Sequence, residues 1–221
     1  MNSYLRKCLK GLGYIGGVFL LFIILFELNP FGFFGYIPTV QDIQTPKMPF
    51  ASELYTSDSV LIGRYFKEKR SPVSLAEVDS NLIQVLLATE DIRFYEHHGI
   101  DIKSVLAGVF STASGDKRGA STITQQLVKN LYHTRHPKNQ GWAGKVPLLR
   151  TISFKLKEWF TALKLEMAYS KPELLEMYLN TVGFGNNAFG IKVAARTYFS
   201  KLPDELNWQE SALLIGMLKA T

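Results

Sequence analysis

Apolar positions change their spacing three times along this chain, and each change marks an element. Gly11 to Phe26 carries no charge and is dominated by Ile, Leu, Phe and Val, with Arg6, Lys7 and Lys10 just before it. These sixteen residues at helical rise cover about 24 Å, a little short of the ~30 Å hydrocarbon core of a bilayer. Glu27 then falls near the far interface. Leu28 to Pro38 stays apolar, with Phe31, Phe33, Phe34 and Tyr36 arranged as an interfacial aromatic belt. Leu28, Asn29 and Pro30 make a poor cleavage site. The pattern therefore predicts an uncleaved signal anchor over 11–28 behind a cytoplasmic tail of 1–10, with everything after it outside.

Residues 29–50 hold four of the nine prolines and read as an extended stalk. From Ala51 to Ser71 the alternation is loose (Leu54, Tyr55; Val60, Leu61, Ile62; Tyr65, Phe66), which predicts a short β-hairpin. Beyond Ser74 the period becomes helical. Ser74 and Glu77 form a capping-box pair ahead of Val78, Leu82, Val85 and Leu86. Ser170 with Glu173 and Asn207 with Glu210 mark two further helix starts. Other helical stretches are Ile102 to Thr112, Ser121 to Tyr132 and Leu149 to Tyr169. His133 to Pro147 mixes Pro, Gly, Lys and His without a period and reads as a long mobile loop. The expected fold is mainly α.

Composition narrows the choice further. A chain of 221 residues with 47% hydrophobic residues is too apolar for a disordered protein and suits one domain plus an appendage. The single cysteine, Cys8, excludes an internal disulfide and a cysteine-rich zinc site. The formal charge of +6 does not name an anionic partner.

Three segments carry candidate chemistry. Glu90 and Asp91 close the first helix and lead into Phe94, His97, His98, Gly99 and Asp101. Two adjacent carboxylates beside two histidines fit either a reactive pair or a solvated helix end in which Asp91 pairs with Arg93. Metal binding is the weaker reading, because adjacent histidines project differently. In the segment Gly119 to Asn130, Thr122, Gln126 and Lys129 fall on one helical stripe, while Ile123, Leu127 and Leu131 fall on another. Hydroxyls, amides and one cation suit sugar hydroxyls or a phosphate, and the helix start at Ser121 adds backbone N–H groups. An ordinary polar face remains the alternative. Arg150, Phe154 and Glu158 recur every four residues, with Lys155 and Lys157 beside them. That spacing is also what a salt-bridged surface helix shows.

In this order, these segments resemble the peptidoglycan glycosyltransferases, family 51 of the glycosyltransferases, found alone or at the front of class A penicillin-binding proteins. The first motif is matched by Glu90, Asp91, Phe94, His97 and Gly99, and the second by Gly119 to Asn130. The third is matched by Arg150, Lys155 and Glu158, and the fourth by Lys171, Tyr178 and Asn180. Gly190, Ile191, Ala194, Ala195, Tyr198, Phe199 and Lys201 match the fifth. Phe154 stands where the family usually has a second arginine, and the chain stops at Thr221 within a run the family continues. The resemblance therefore implies a piece of a longer class A protein, C-terminally truncated.

The resemblance implies a lysozyme-like α-helical glycosyltransferase domain over 51–221, with a transmembrane helix and a short β-hairpin before it. The implied activity polymerises lipid II into β-1,4 glycan with release of undecaprenyl diphosphate. Glu90 is the implied base and Glu158 the second acid, with Lys129, Arg150 and Lys155 on the diphosphate. Asp91, Phe94, His97, Ser121, Thr122, Gln125, Gln126 and Asn180 match positions that shape or line the cleft. No cofactor is required, and a divalent cation, Mg or Mn, is allowed near Glu158. Implied partners are lipid II, the nascent glycan strand, membrane lipid and other cell-wall synthesis proteins, with no nucleic acid. The implied location is the bacterial cytoplasmic membrane, crossed once, with the catalytic domain outside. Two rivals stand beside this: a membrane-anchored peptidoglycan hydrolase or lytic transglycosylase, since two acids in a cleft also suit hydrolysis, and a non-catalytic glycan-binding remnant.

Overall fold

The computed structural model describes residues 3–46, 52–58, 61–65, 71–113, 119 and 121–218. The centre and far end of the expected hairpin (59–60 and 66–70), Ala120 and the last residues, 219–221, lie outside them. Among the described residues the α-helices are α1 (Ser3–Leu28), α2 (Val40–Gln44), α3 (Ser80–Glu90), α4 (Ile102–Ala113), α5 (Ile123–Leu131), α6 (Pro147–Ala168), α7 (Lys171–Thr181), α8 (Ile191–Phe199) and α9 (Trp208–Met217). The chain divides into two compact units, one of residues 1–37 with 134–157 and one of 38–133 with 158–221.

The first unit is built around α1. Its segment Lys10–Leu28, 19 residues with mean hydropathy 2.1, is long and apolar enough to cross a membrane. At helical rise that is about 28 Å, close to a bilayer core. Asn29, at φ 43°, stops the helix. Its side chain donates to the Gly35 carbonyl at 2.6 Å and accepts from the Phe34 amide at 2.9 Å, closing a tight turn. Gly35 and Gly141 both have positive φ, and a Cβ on either would strike the other's strand of backbone. The segment 134–146, expected as a mobile loop, is instead folded into 3-10 turns, Pro137–Asn139 and Ala143–Lys145. The reason is Lys157, fully buried, whose ammonium donates to the carbonyls of Asn139 at 2.7 Å and Thr134 at 3.4 Å. Lack of hydrophobic period hid a loop held by one buried cation.

The second unit holds the core. α3 packs on α9, and α5 on α7. Leu82 and Leu86 of α3, Ile123, Leu127 and Val128 of α5, and Leu174, Leu175 and Tyr178 of α7 are buried together. These positions recur every three or four residues, so each helix turns one apolar stripe inward. The expected extended stalk is folded here too. Thr39 and Asp42 form a capping box for α2, and Ile43 enters the core. The hydroxyls of Tyr132 and Tyr169 donate to the carbonyls of Asp42 and Ile43, at 3.3 and 2.8 Å.

Two helix starts follow their capping boxes at Ser170 and Asn207. The Ser74–Glu77 box is formed as well, but it closes a 3-10 turn, Leu75–Glu77. Val78 then turns extended to bury its side chain, and Asp79 caps α3 by accepting from the Asn81 amide at 2.7 Å.

The expected fold class is corrected in its β component. The fold is mainly α-helical with one N-terminal membrane-length helix, and no β-hairpin forms a structural layer of it. Residues 52–55 and 61–65 pair only with each other, with a register shift between Leu54 and Tyr55. Four or five residues a side, interrupted by Gly63, cannot bury a face of their own.

Candidate active site

Glu90 is the last residue of α3 and Asp91 its C-cap. The buried Leu82, Val85 and Leu86 fix the helix and bring its end against α5. There Gln126 Nε2 donates to Glu90 Oε2 at 2.7 Å, while Glu90 Oε1 is buried with no hydrogen-bond partner among the described residues. Gln126 Oε1 in turn accepts from the Tyr178 hydroxyl at 3.1 Å. Burial, with the Glu90 charge adding to it, pushes the Tyr178 phenol far above its usual ionisation range. It is a permanent donor.

Asp91 has a different task. Its carboxylate accepts from the Ile123 amide at 3.0 Å, at the start of α5, and from His97 Nε2 at 3.0 and 3.1 Å. The suggested partner, Arg93, instead holds Asp101 at 2.7 Å and donates to Ser104 at 2.9 Å. Burial opposes the charged form of Asp101, but the hydrogen bonds from Arg93 and Ser104 outweigh it and lower its carboxyl to about 2. Phe94 is buried, meets His97 edge-on and lies 4.3 Å beneath the Lys171 ammonium. Lys171 also donates to the His97 carbonyl at 2.6 Å and pairs with Glu166 at 2.8 Å. The first motif is thus clamped from below.

Within α5 the polar stripe divides. Thr122 is the N-cap rather than a helical residue, and it is buried. Its hydroxyl donates to the Gly99 carbonyl at 2.7 Å, as does Gln125 Nε2 at 3.1 Å. Gly99, at φ 83°, has Ala162 backbone where a Cβ would stand, so no other residue fits there easily. Ser121 lines a small polar cavity of about 130 Å³ with Thr89 and Glu90. Gln126 and Lys129 point elsewhere, into a larger cavity of about 360 Å³.

The far wall of that cavity was not foreseen. It is the tight loop between α7 and α8, which carries Gly183, Gly185, Asn187 and Phe189. Gly185, Asn186 and Asn187 are all left-handed, and Gly183 bridges to Phe189. The available signal was the run of glycine and asparagine from Gly183 to Gly190, residue types that tolerate positive φ. His133, one turn beyond Lys129, also lines the cavity.

Arg150, exposed, and Lys155, half-buried, lie on the N-terminal part of α6 that belongs to the first unit. Glu158 begins the part of α6 in the second unit and is only 1% exposed. Asn180 is spent internally: its amide accepts from the Val73 N–H at 2.9 Å and donates to the Val73 carbonyl at 2.8 Å. Among the described residues no three His, Cys, Asp or Glu side chains converge. Mg and Mn take several oxygen ligands, so the residues near Glu158 do not by themselves make a site for one.

A mainly helical domain with a membrane-length N-terminal helix, in which a carboxylate at the end of α3 is held by an amide of α5 and a lysine of α5 lines the neighbouring cavity, is the class of protein this fold and site define. The family model described as Transglycosylase matches residues 58–221. Penicillin-binding protein 1A of Escherichia coli (strain K12) is 36% identical over 204 residues, which cover 90% of this chain and 22% of that protein. Penicillin-binding protein 1A of Haemophilus influenzae is 40% identical over 170 residues, 76% of this chain and 18% of that protein. Penicillin-binding protein 1F of Bacillus subtilis (strain 168) is 40% identical over 172 residues, 77% of this chain and 22% of that protein. The chain spans about a fifth of the length of these relatives. It belongs to the transglycosylase family, the glycosyltransferase domain of penicillin-binding protein 1A-like enzymes.

Proposed function

We propose that this chain polymerises lipid II into β-1,4-linked glycan, with Glu90 as the general base. The observation that carries this reading is the split environment of one carboxylate. Glu90 Oε2 is held by Gln126, and Oε1 is a buried acceptor with no partner among the described residues, suited to the proton of a sugar hydroxyl brought up to it. The 4-hydroxyl oxygen forms the new bond to the anomeric carbon as that carbon's bond to diphosphate breaks. Its proton passes to Glu90, and the charge leaves on undecaprenyl diphosphate. Attack opposite the leaving group inverts the α-linked donor to a β linkage, with no covalent enzyme intermediate.

Charge developing on the diphosphate calls for fixed cations. Lys129 lines the same cavity as Gln126, one turn along α5. Arg150 and Lys155 are the further cations in this reading, with Glu158 as the second acid. Loop residues Asn187 and Phe189 offer an amide and an aromatic face to sugar rings. Asp91, Phe94, His97, Thr122, Gln125 and Asn180 act by holding the walls.

The substrate's lipid tail explains the first unit. Phe31, Trp142 and Leu148 are strongly exposed in the unit that contains α1, and Lys145 sits 3.8 Å over the Trp142 ring. An aromatic face with a lysine beside it suits a headgroup region. With Arg6, Lys7 and Lys10 before the span, the N-terminus faces the cytoplasm and the catalytic domain faces outward. Incubating the purified full chain with labelled lipid II tests the reading, and a ladder of glycan polymer is expected. Release of fragments from preformed wall without polymer would contradict it.

A further inference from the structure

We infer that Tyr178 is a positioning residue for the reaction, fixing the Gln126 amide so that it always presents N–H to Glu90. The inference rests on the general-base reading above and extends it to a residue that touches neither substrate nor the reacting atoms.

An amide side chain has a donor end and an acceptor end, and rotation by half a turn exchanges them. With Gln126 Nε2 on Glu90 at 2.7 Å and Oε1 on the Tyr178 hydroxyl at 3.1 Å, every polar end is matched. Reversal would set the Gln126 carbonyl against an ionised carboxylate, two acceptors face to face. Once Glu90 has taken a proton on Oε1, that objection weakens, because the neutral carboxyl can turn to present its O–H to a carbonyl. The enzyme would then hold its base in the spent state.

Tyr178 prevents this. Its side chain is 0% exposed and packed in the core between α5 and α7. Its hydroxyl proton has Gln126 Oε1 as the acceptor recorded for it. If the amide reversed, the phenol proton would be stranded in an apolar interior, which costs more than the bond it replaces. The buried phenol stays protonated under working conditions, so the restraint persists through the cycle. After proton uptake Gln126 still offers N–H, which favours release of the proton and return of the carboxylate. The effect belongs to turnover rather than to substrate binding.

A double-mutant cycle on the full chain, assayed with labelled lipid II, tests this. Tyr178→Phe removes only the hydroxyl and should lower kcat about tenfold with KM unchanged, the loss of one buried hydrogen bond. Gln126→Met should lower kcat by at least as much. The double variant should match Gln126→Met alone, because Tyr178 acts through the amide. Losses that multiply, or a Tyr178→Phe enzyme with wild-type kcat, would overturn the inference. Should Tyr178→Phe fail to fold, Gln126→Met decides alone: unchanged kcat refutes the inference, and a fall in kcat at constant KM supports it. Absence of polymer from the unmodified chain would instead refute the functional reading.

Discussion

Asp91 Oδ2 accepts from the backbone N–H of Ile123 at 3.0 Å, tying the end of α3 to the first turn of α5. That bond helps set the spacing between the next residue back, Glu90, and Gln126 on α5. The adjacent acids of the first motif therefore divide their work: Glu90 keeps an unmet acceptor, and Asp91 builds the wall. Asp91→Ala should cost about 1–3 kcal/mol, since it leaves a buried N–H and His97 without their acceptor. Thermal denaturation of the full chain measures this, and an unchanged midpoint would contradict the structural role.

Lys129 is half-buried at the cavity wall, with Gln126 and Asn130 of α5 beside it. Lys129→Ala should leave stability within about 0.5 kcal/mol, as for an ordinary partly exposed position. Polymerisation should fall by about 10²-fold or more, the scale of losing one charge that stabilises a transition state. A variant that unfolds instead would make this lysine a structural element.

Asn180 is the contrasting case. Its side chain replaces a missing strand for Val73, 107 residues away in sequence, and it is 9% exposed. Asn180→Ala should destabilise the fold by about 1–3 kcal/mol through two orphaned backbone groups. The KM for lipid II in the folded fraction should not move. A raised KM at constant stability would return Asn180 to the substrate.

Asp101 predicts an acid limb of stability. Its carboxyl, lowered from 3.8 to about 2 in the fold, binds protons less readily there than in the unfolded chain. The stabilisation is therefore fully present above about pH 4 and is lost as pH falls towards about 2. Asp101→Asn should flatten the wild-type loss of stability across that window. Parallel wild-type and variant curves would contradict the Arg93–Asp101 account.

The sequence made the helices and their functional residues unequally legible. Gln126 and Lys129 were readable because helical periodicity separates a polar stripe from an apolar one, and Glu90 because two adjacent acids close a helix. The same arithmetic put Thr122 on that stripe, although it caps the helix and turns inward, because a period does not mark where a helix begins. Ser74 shows the same limit, since a complete capping box can close a single 3-10 turn. Arg93 had several acids in reach along the chain, and only folding brought Asp101 to it. The wall from Gly183 to Phe189 depends on left-handed backbone rather than on side-chain pattern, and so carried no periodic signal.

The most direct test compares Glu90→Gln with the unmodified full chain in a labelled lipid II polymerisation assay, with thermal melts run beside it. The account predicts an unchanged melting transition and turnover lowered by about 10²–10⁴-fold, the scale of losing a general base. Near-normal glycan synthesis by the folded variant would contradict it.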